Sequence, residues 1–131
     1  MQKLLLPMIG VLTMALANGC DSVKSPAAVA SDVASARQQA STEVTDAKKD
    51  AAKEVDSTAA KVDHTSTDVN NAGAKASYDV AVAQADGDHN VAIQQCSAMT
   101  GAAQKTCSEK TDAKFEQAKT HANVIRLSEN E

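Results

Sequence analysis

The 131-residue sequence has no tryptophan, one tyrosine (Tyr78) and one phenylalanine (Phe115), and most of its 43% hydrophobic content is alanine and valine. That length suits one small domain, but side chains this small cannot fill a thick core. Glycine is equally sparse, with five in the chain and none between Cys20 and Gly73. There is no apolar run of the roughly 20 residues needed to cross a bilayer. Basic charge is also short, with 13 Lys and Arg against 17 Asp and Glu for a net charge of −4, and no basic stripe. An acidic chain of this kind excludes nucleic acid as a partner and excludes electrostatic attachment to anionic lipid.

Catalytic signatures are missing too. The chain contains no serine elbow, no glycine-rich phosphate loop and no cysteine beside a well-placed base. Nor does a helical hairpin offer a deep apolar pocket. The expected class is therefore non-enzymatic, with no cofactor.

What is present begins at the N-terminus. Lys3 precedes an apolar stretch from Leu4 to Ala17, and small residues lead to Cys20. A positive start, a short apolar core and a small-residue exit form a secretory signal, expected over residues 1–19. Two cleavages compete. Ala15-Leu16-Ala17 is an A-x-A site that would leave Asn18 first, whereas Leu16-Ala17-Asn18-Gly19-Cys20 resembles the bacterial lipobox, in which the cysteine takes lipid on its thiol and becomes the new terminus. Three cysteines in an exported chain leave an odd thiol, and lipid on Cys20 would remove it by leaving Cys96 and Cys107 as a pair. Loss of Lys3 with the signal takes the charge from −4 to −5. The expected address is the periplasm, with the membrane as partner through a lipid on Cys20. Asp21, behind that cysteine, resembles an inner-membrane retention signal, and the choice of membrane stays open.

After a linker at 20–26, the composition turns to Ala, Lys, Asp and Glu. Ser25 can cap a helix whose first residue is Pro26. Stacking Val33, Val44 and Val55 reveals an eleven-residue repeat, with Ala36, Ala47 and Thr58 in the fourth place and Ala40, Ala51 and Val62 in the eighth. Eleven residues over three turns is about 3.67 per turn, so the stripe runs nearly straight along one face. Each Ala methyl adds only about 0.8 kcal/mol on burial, against roughly 1–2 kcal/mol to order a backbone residue. A helical stalk over 27–72 is expected, marginal or loosely coiled, ending where "DHTSTDVNN" and Gly73 concentrate cap and turn residues.

From Tyr78 a helical face advances through Val82, Ala85, His89, Ala92, Cys96 and Met99, and after Thr100-Gly101 a second runs through Cys107, Thr111, Phe115, Ala118, Ala122 and Ile125. Folded back antiparallel, residues whose numbers add to 203 lie level: Tyr78 with Ile125, Val82 with His121, Ala85 with Ala118, and Cys96 with Cys107. The alanines let the helices approach until the cysteine Cα atoms come within the roughly 4.4–6.8 Å of a disulfide. The expected fold is all-α: signal, stalk, a disulfide-closed hairpin over 73–127, and a tail at 128–131.

Asp86-Gly87-Asp88-His89-Asn90 has the one look of a ligand loop. Asp86, Asp88 and Asn90 match the first, third and fifth places of a calcium loop, but Val91 stands where the glycine belongs and Ser97 where the bidentate glutamate belongs. Asp86, Asp88 and His89 are thus weak metal candidates, and His89 fits better as a helix residue beside Phe115. His64, His89 and His121 are scattered and lack zinc-ligand spacing.

The segment from Ser77 to Asn123 resembles a C-terminal module of uncharacterised exported proteobacterial proteins, in which Ala/Asp/Lys-rich repeats precede "YDVA…ADGDH…C…G.AQK.C…A". Some of these are labelled TolA-like. The resemblance rests on Tyr78, Asp86, Gly87, Asp88, His89, Cys96, Gly101 and Cys107, and it implies an envelope address and no known activity. "TDAKKDAAKEV" is similar to late-embryogenesis-abundant proteins, which implies a soluble stress protectant as the alternative role. The anchored Ala-rich helix also resembles the murein lipoprotein, although this chain ends in Glu131 rather than in a lysine that joins peptidoglycan. The leading expectation is an envelope lipoprotein of structural or interaction type, self-associating or binding an envelope protein. A metal-binding module is the remote alternative.

Overall fold

A computed structural model describes residues 23–61 and 65–129. The segment expected to direct export, with Cys20, and Val62 to His64 lie outside them. The described residues form three α-helices and no strand: α1 (Pro26–Ala59), α2 (Ser66–Cys96) and α3 (Gly101–Ser128). At about 1.5 Å per residue they measure roughly 50, 46 and 42 Å.

Helix α1 starts where Ser25-Pro26 predicts. Ser25 is extended and its Oγ accepts a hydrogen bond from the Ala28 amide at 3.2 Å, while Pro26 occupies the first turn without an unmet donor. The next break is displaced from the expected one. The helices part between Ala59 and Ser66, and Gly73 lies inside α2, so 66–72 belongs with the second helix rather than with a stalk ending at 72. Thr65 and Asp68 account for the shift. The Asp68 amide donates to Thr65 Oγ1 at 3.4 Å and the Thr65 amide donates to Asp68 Oδ2 at 3.1 Å, a reciprocal capping box that starts a helix ahead of the glycine. A glycine inside a helix costs only about 1 kcal/mol, which a helix this long can carry.

Helix α1 is not free-standing but lies antiparallel along α2, with Glu54 meeting Lys75 at 3.0 Å near one end and Ala40 meeting Gly87 farther along. The residues of α1 withdrawn from solvent include Val33, Ala36, Ala40, Val44, Ala47, Ala51, Val55 and Thr58. Helix α3 returns antiparallel on the other side of α2, tied by Cys96–Cys107, by His89 to Asp112 at 2.7 Å, and by Arg126 over the Tyr78 ring at 5.4 Å. Tyr78 and Cys96 each lie nine residues from Gly87, two and a half turns at about 3.6 residues per turn, which puts α1 and α3 on opposite sides of α2. Among the described residues no Cα of α1 comes within 8 Å of one in α3. The three helices form a layer with α2 in the middle.

Small side chains hold this layer together. The buried apolar residues are Val33, Ala36, Ala72, Ala74, Ala76, Cys96 and Ala122, with Thr111 buried beside them. Val124, Ile125 and Leu127 remain exposed at the end of α3. Gly87 marks a close approach of α1 to α2. A Cβ built there would stand 2.5 Å from Ala40 Cβ and 3.2 Å from Ala40 Cα, whereas one built at Gly73 meets nothing within 4 Å. The same substitution should therefore act in opposite directions. Gly73→Ala should stabilise by about 0.5–1 kcal/mol through helix propensity. Gly87→Ala gains the same propensity but forces α1 off α2 at an overpacking cost of about 1–3 kcal/mol. Urea denaturation of the two variants checks this, and the account requires Gly87→Ala to be the less stable.

Candidate functional site

The α2–α3 hairpin is built by its turn. Helix α2 ends at Cys96, and the Ala98 and Met99 amides close a tight turn on the Gln95 and Cys96 carbonyls at 3.2 and 3.0 Å. Thr100 is extended, and Gly101 takes a left-handed φ of 57°, a conformation that a side chain disfavours. The chain thus reverses in four residues. Met99, next after Cys96 in the predicted apolar stripe, falls in this turn and is 44% exposed.

Reversal at that point brings the cysteines together. Cys96 and Cys107 form a disulfide with a Cα–Cα distance of 5.6 Å, in the predicted register. Cys96 is 1% exposed and its Sγ lies 3.8 Å from Thr111 Oγ1. Farther along the hairpin, His89 and Phe115 pack at 4.9 Å between ring centroids, and the Lys119 ammonium sits 4.9 Å from the Phe115 ring. His89 Nε2 meets Asp112 Oδ1 at 2.7 Å. This pair links two helices; among the described residues no hydroxyl or thiol hydrogen-bonds to His89. It lacks the nucleophile that would make it a catalytic triad.

Asp86, Gly87, Asp88 and His89 do not make a loop, since all four lie in the interior of α2. Two residues along a helix are about 200° of rotation, so Asp86 and Asp88 project to nearly opposite sides. Gly87, which looks like loop chemistry in the sequence, is the contact point for Ala40. Among the described residues no group of three or more His, Cys, Asp and Glu side chains is placed to hold a metal ion. Cys20 lies outside the described residues, as does His64.

One extended surface feature was not foreseen. A chain of shallow grooves runs along a single side of α2, each sharing residues with the next. The first, at Val69 and Glu129, shares Gly73 and Ser77 with an opening of about 660 Å³ beside Ala51 and Val55 of α1. That opening shares Ala81 and Gln84 with a groove against Ala118 and Ala122 of α3. Ala85 and Asp88 continue it into an opening of about 360 Å³ below Phe115 and Thr111. Together they make a trough floored by small side chains and walled by α1 and α3. From Val69 to Ala92 it extends about 35 Å. It exists because α1 and α3 do not meet. The spacing of Gly73, Ser77, Ala81, Ala85 and Asp88 carries its signal, a polar and small stripe between two apolar ones on the same helix.

Lys75 ties α1 to α2 at one end of this layer, bonding Asp79 at 2.8 Å and Glu54 at 3.0 Å. Its ammonium is held protonated above the ordinary 10.5, first by the Asp79 hydrogen bond and then by Glu54. The chain matches no known protein family, no curated protein and no solved structure. Among the described residues no helix is long and apolar enough to cross a membrane.

Two outcomes follow from this geometry. Reduction of Cys96–Cys107, which closes a loop of about a dozen residues, should cost about 3 kcal/mol in the chain-entropy account, read as a lower melting temperature with reductant than without. A raised lysine pKa stabilises the folded state while the lysine is charged, fully below the unfolded value, and the contribution disappears as pH rises through the folded value. Lys75→Gln should therefore be less stable than the parent at neutral pH, and the gap should close well above pH 10.5 in paired thermal melts.

Proposed function

We propose that the chain is a non-enzymatic envelope lipoprotein of structural or interaction type, exported and held at a membrane by lipid on Cys20. The Cys96–Cys107 bridge carries this reading. With that pair engaged, Cys20 is the odd cysteine of three, and it stands behind the small-residue exit of an export signal. A disulfide in a small domain poor in large apolar side chains suits an oxidising compartment. The resemblance of Ser77–Asn123 to exported proteobacterial modules points the same way.

What such a lipid would tether is a layer of three helices rather than a hairpin carried on a separate stalk. Helix α1 starts level with the α2–α3 turn, because Pro26 precedes Ala40 by as many residues as Gly101 follows Gly87. Six residues from Cys20 to Pro26 reach at most about 20 Å. The disulfide end therefore faces the membrane, and the trough along α2 runs outward from it. An open surface of small side chains, with no aligned nucleophile and base among the described residues, suits contact with another protein better than turnover of a substrate.

Intact mass of protein taken from membrane and soluble fractions, with and without reductant, tests the proposal. A membrane species that begins at Cys20, carries acyl chains and gains two hydrogens on reduction is the expected result. A soluble species that begins at Asn18 would make Cys20 a free thiol and refute the anchor.

A further inference from the structure

We propose that the α2–α3 turn is a thiol-controlled hinge: reduction of Cys96–Cys107 lets α3 leave its own α2 and pair with α2 of a second copy of this chain. Helix α3 touches only α2 among the described helices, so its departure disturbs no contact between α1 and α2. Departure also asks little of the backbone. Ser97 is still right-handed helical, whereas Thr100 (φ −132°, ψ 160°) and Gly101 (φ 57°) depart from helical geometry. Turning the reversal helical would fuse α2 and α3 into one helix. The fused helix would also bond the first amides of α3, to which the Thr100 side chain now offers no cap.

The disulfide forbids that fusion. In a continuous helix, residues 96 and 107 would stand about 16 Å apart at 1.5 Å per residue, far beyond the roughly 6.8 Å limit for bridged Cα atoms. The bridged pair is held at 5.6 Å. Bridged and opened states exclude each other, so the bond acts as the latch. Two opened copies, laid antiparallel, rebuild every contact of the hairpin in trans, including His89 with Asp112, Tyr78 with Arg126, and Cys96 facing Cys107.

The chemistry is thiol–disulfide exchange with an external dithiol. A dithiol thiolate attacks Sγ of Cys107, the less buried of the two residues, and the Cys96 thiolate leaves and takes the proton that the dithiol gave up. The second dithiol sulfur then displaces Cys107, which is protonated in turn. The protein gains two electrons and two protons and the dithiol is oxidised to its disulfide. A small-molecule disulfide reverses the exchange, within one chain or between two.

The test uses chains carrying Cys20→Ser, which leaves only the two hairpin cysteines. By analytical ultracentrifugation, reduced Gly101→Ala should form dimer at a concentration roughly tenfold or more below that needed by reduced parent, because a side chain at the left-handed position penalises the closed turn and leaves the fused helix unaffected. Separately, Cys96→Ser and Cys107→Ser chains are mixed, each confirmed helical by circular dichroism, and oxidised with a small-molecule disulfide. The expected product is a Cys96–Cys107 heterodimer in excess of the statistical mixture on non-reducing gels. Reduced Gly101→Ala that stays monomeric at every concentration would overturn the proposal, and so would a mixture holding no more than the statistical share of heterodimer.

Discussion

Every tertiary contact in the described protein passes through α2, because α1 and α3 lie on its opposite sides and do not meet. A layer of this kind has no shared interior to bury large apolar groups, and its side chains are matched to that constraint. Alanine and glycine let one backbone lie close against another, as at Ala40 and Gly87. Dispersion between closely packed backbones replaces the area that leucine or phenylalanine would have buried. The interfaces that result are thin. The outer one, between α2 and α3, is reinforced covalently at its closed end by Cys96–Cys107.

That economy shapes the functional reading. Among the described residues the openings along α2 are shallow, and the His89–Asp112 pair sits at the surface with Asp112 63% exposed. What the layer does provide is length, an open trough along α2 and a disulfide at one end. These properties suit the proposed role in contact with another protein. The proposed tether at Cys20 and the proposed exchange of α3 are compatible, since the tether would precede α1 whereas the exchange would involve α3.

Much of this arrangement is legible in the sequence where one helix face meets one partner. Cys96 with Cys107 and Ala85 with Ala118 emerge from a constant register, because both hairpin helices present a single stripe to each other. Ser25-Pro26 reads directly as a helix start. Legibility fails where one helix serves two neighbours. On α2 the residues facing α1 and those facing α3 alternate around the axis, so no single periodicity betrays that α1 packs there. Gly87 then looks like part of a ligand loop instead of a contact for Ala40. Gly73 reads as a breaker in the sequence, although Thr65-x-x-Asp68 just before it is a start signal of greater local strength. Met99 continues an apolar stripe by spacing alone, but the turn that Thr100 and Gly101 demand takes it out of the helix.

The central claim, that α2 holds α1 and α3 by independent interfaces of which only the second is closed by a disulfide, is tested most directly by hydrogen exchange and mass spectrometry of the oxidised and reduced chain at a concentration that keeps it monomeric. The account predicts that reduction removes protection from α3 amides between 101 and 128, while amides of α1 and the α2 segment around Gly87 keep theirs. Equal loss in α1 and α3, or unchanged protection in α3, would contradict it.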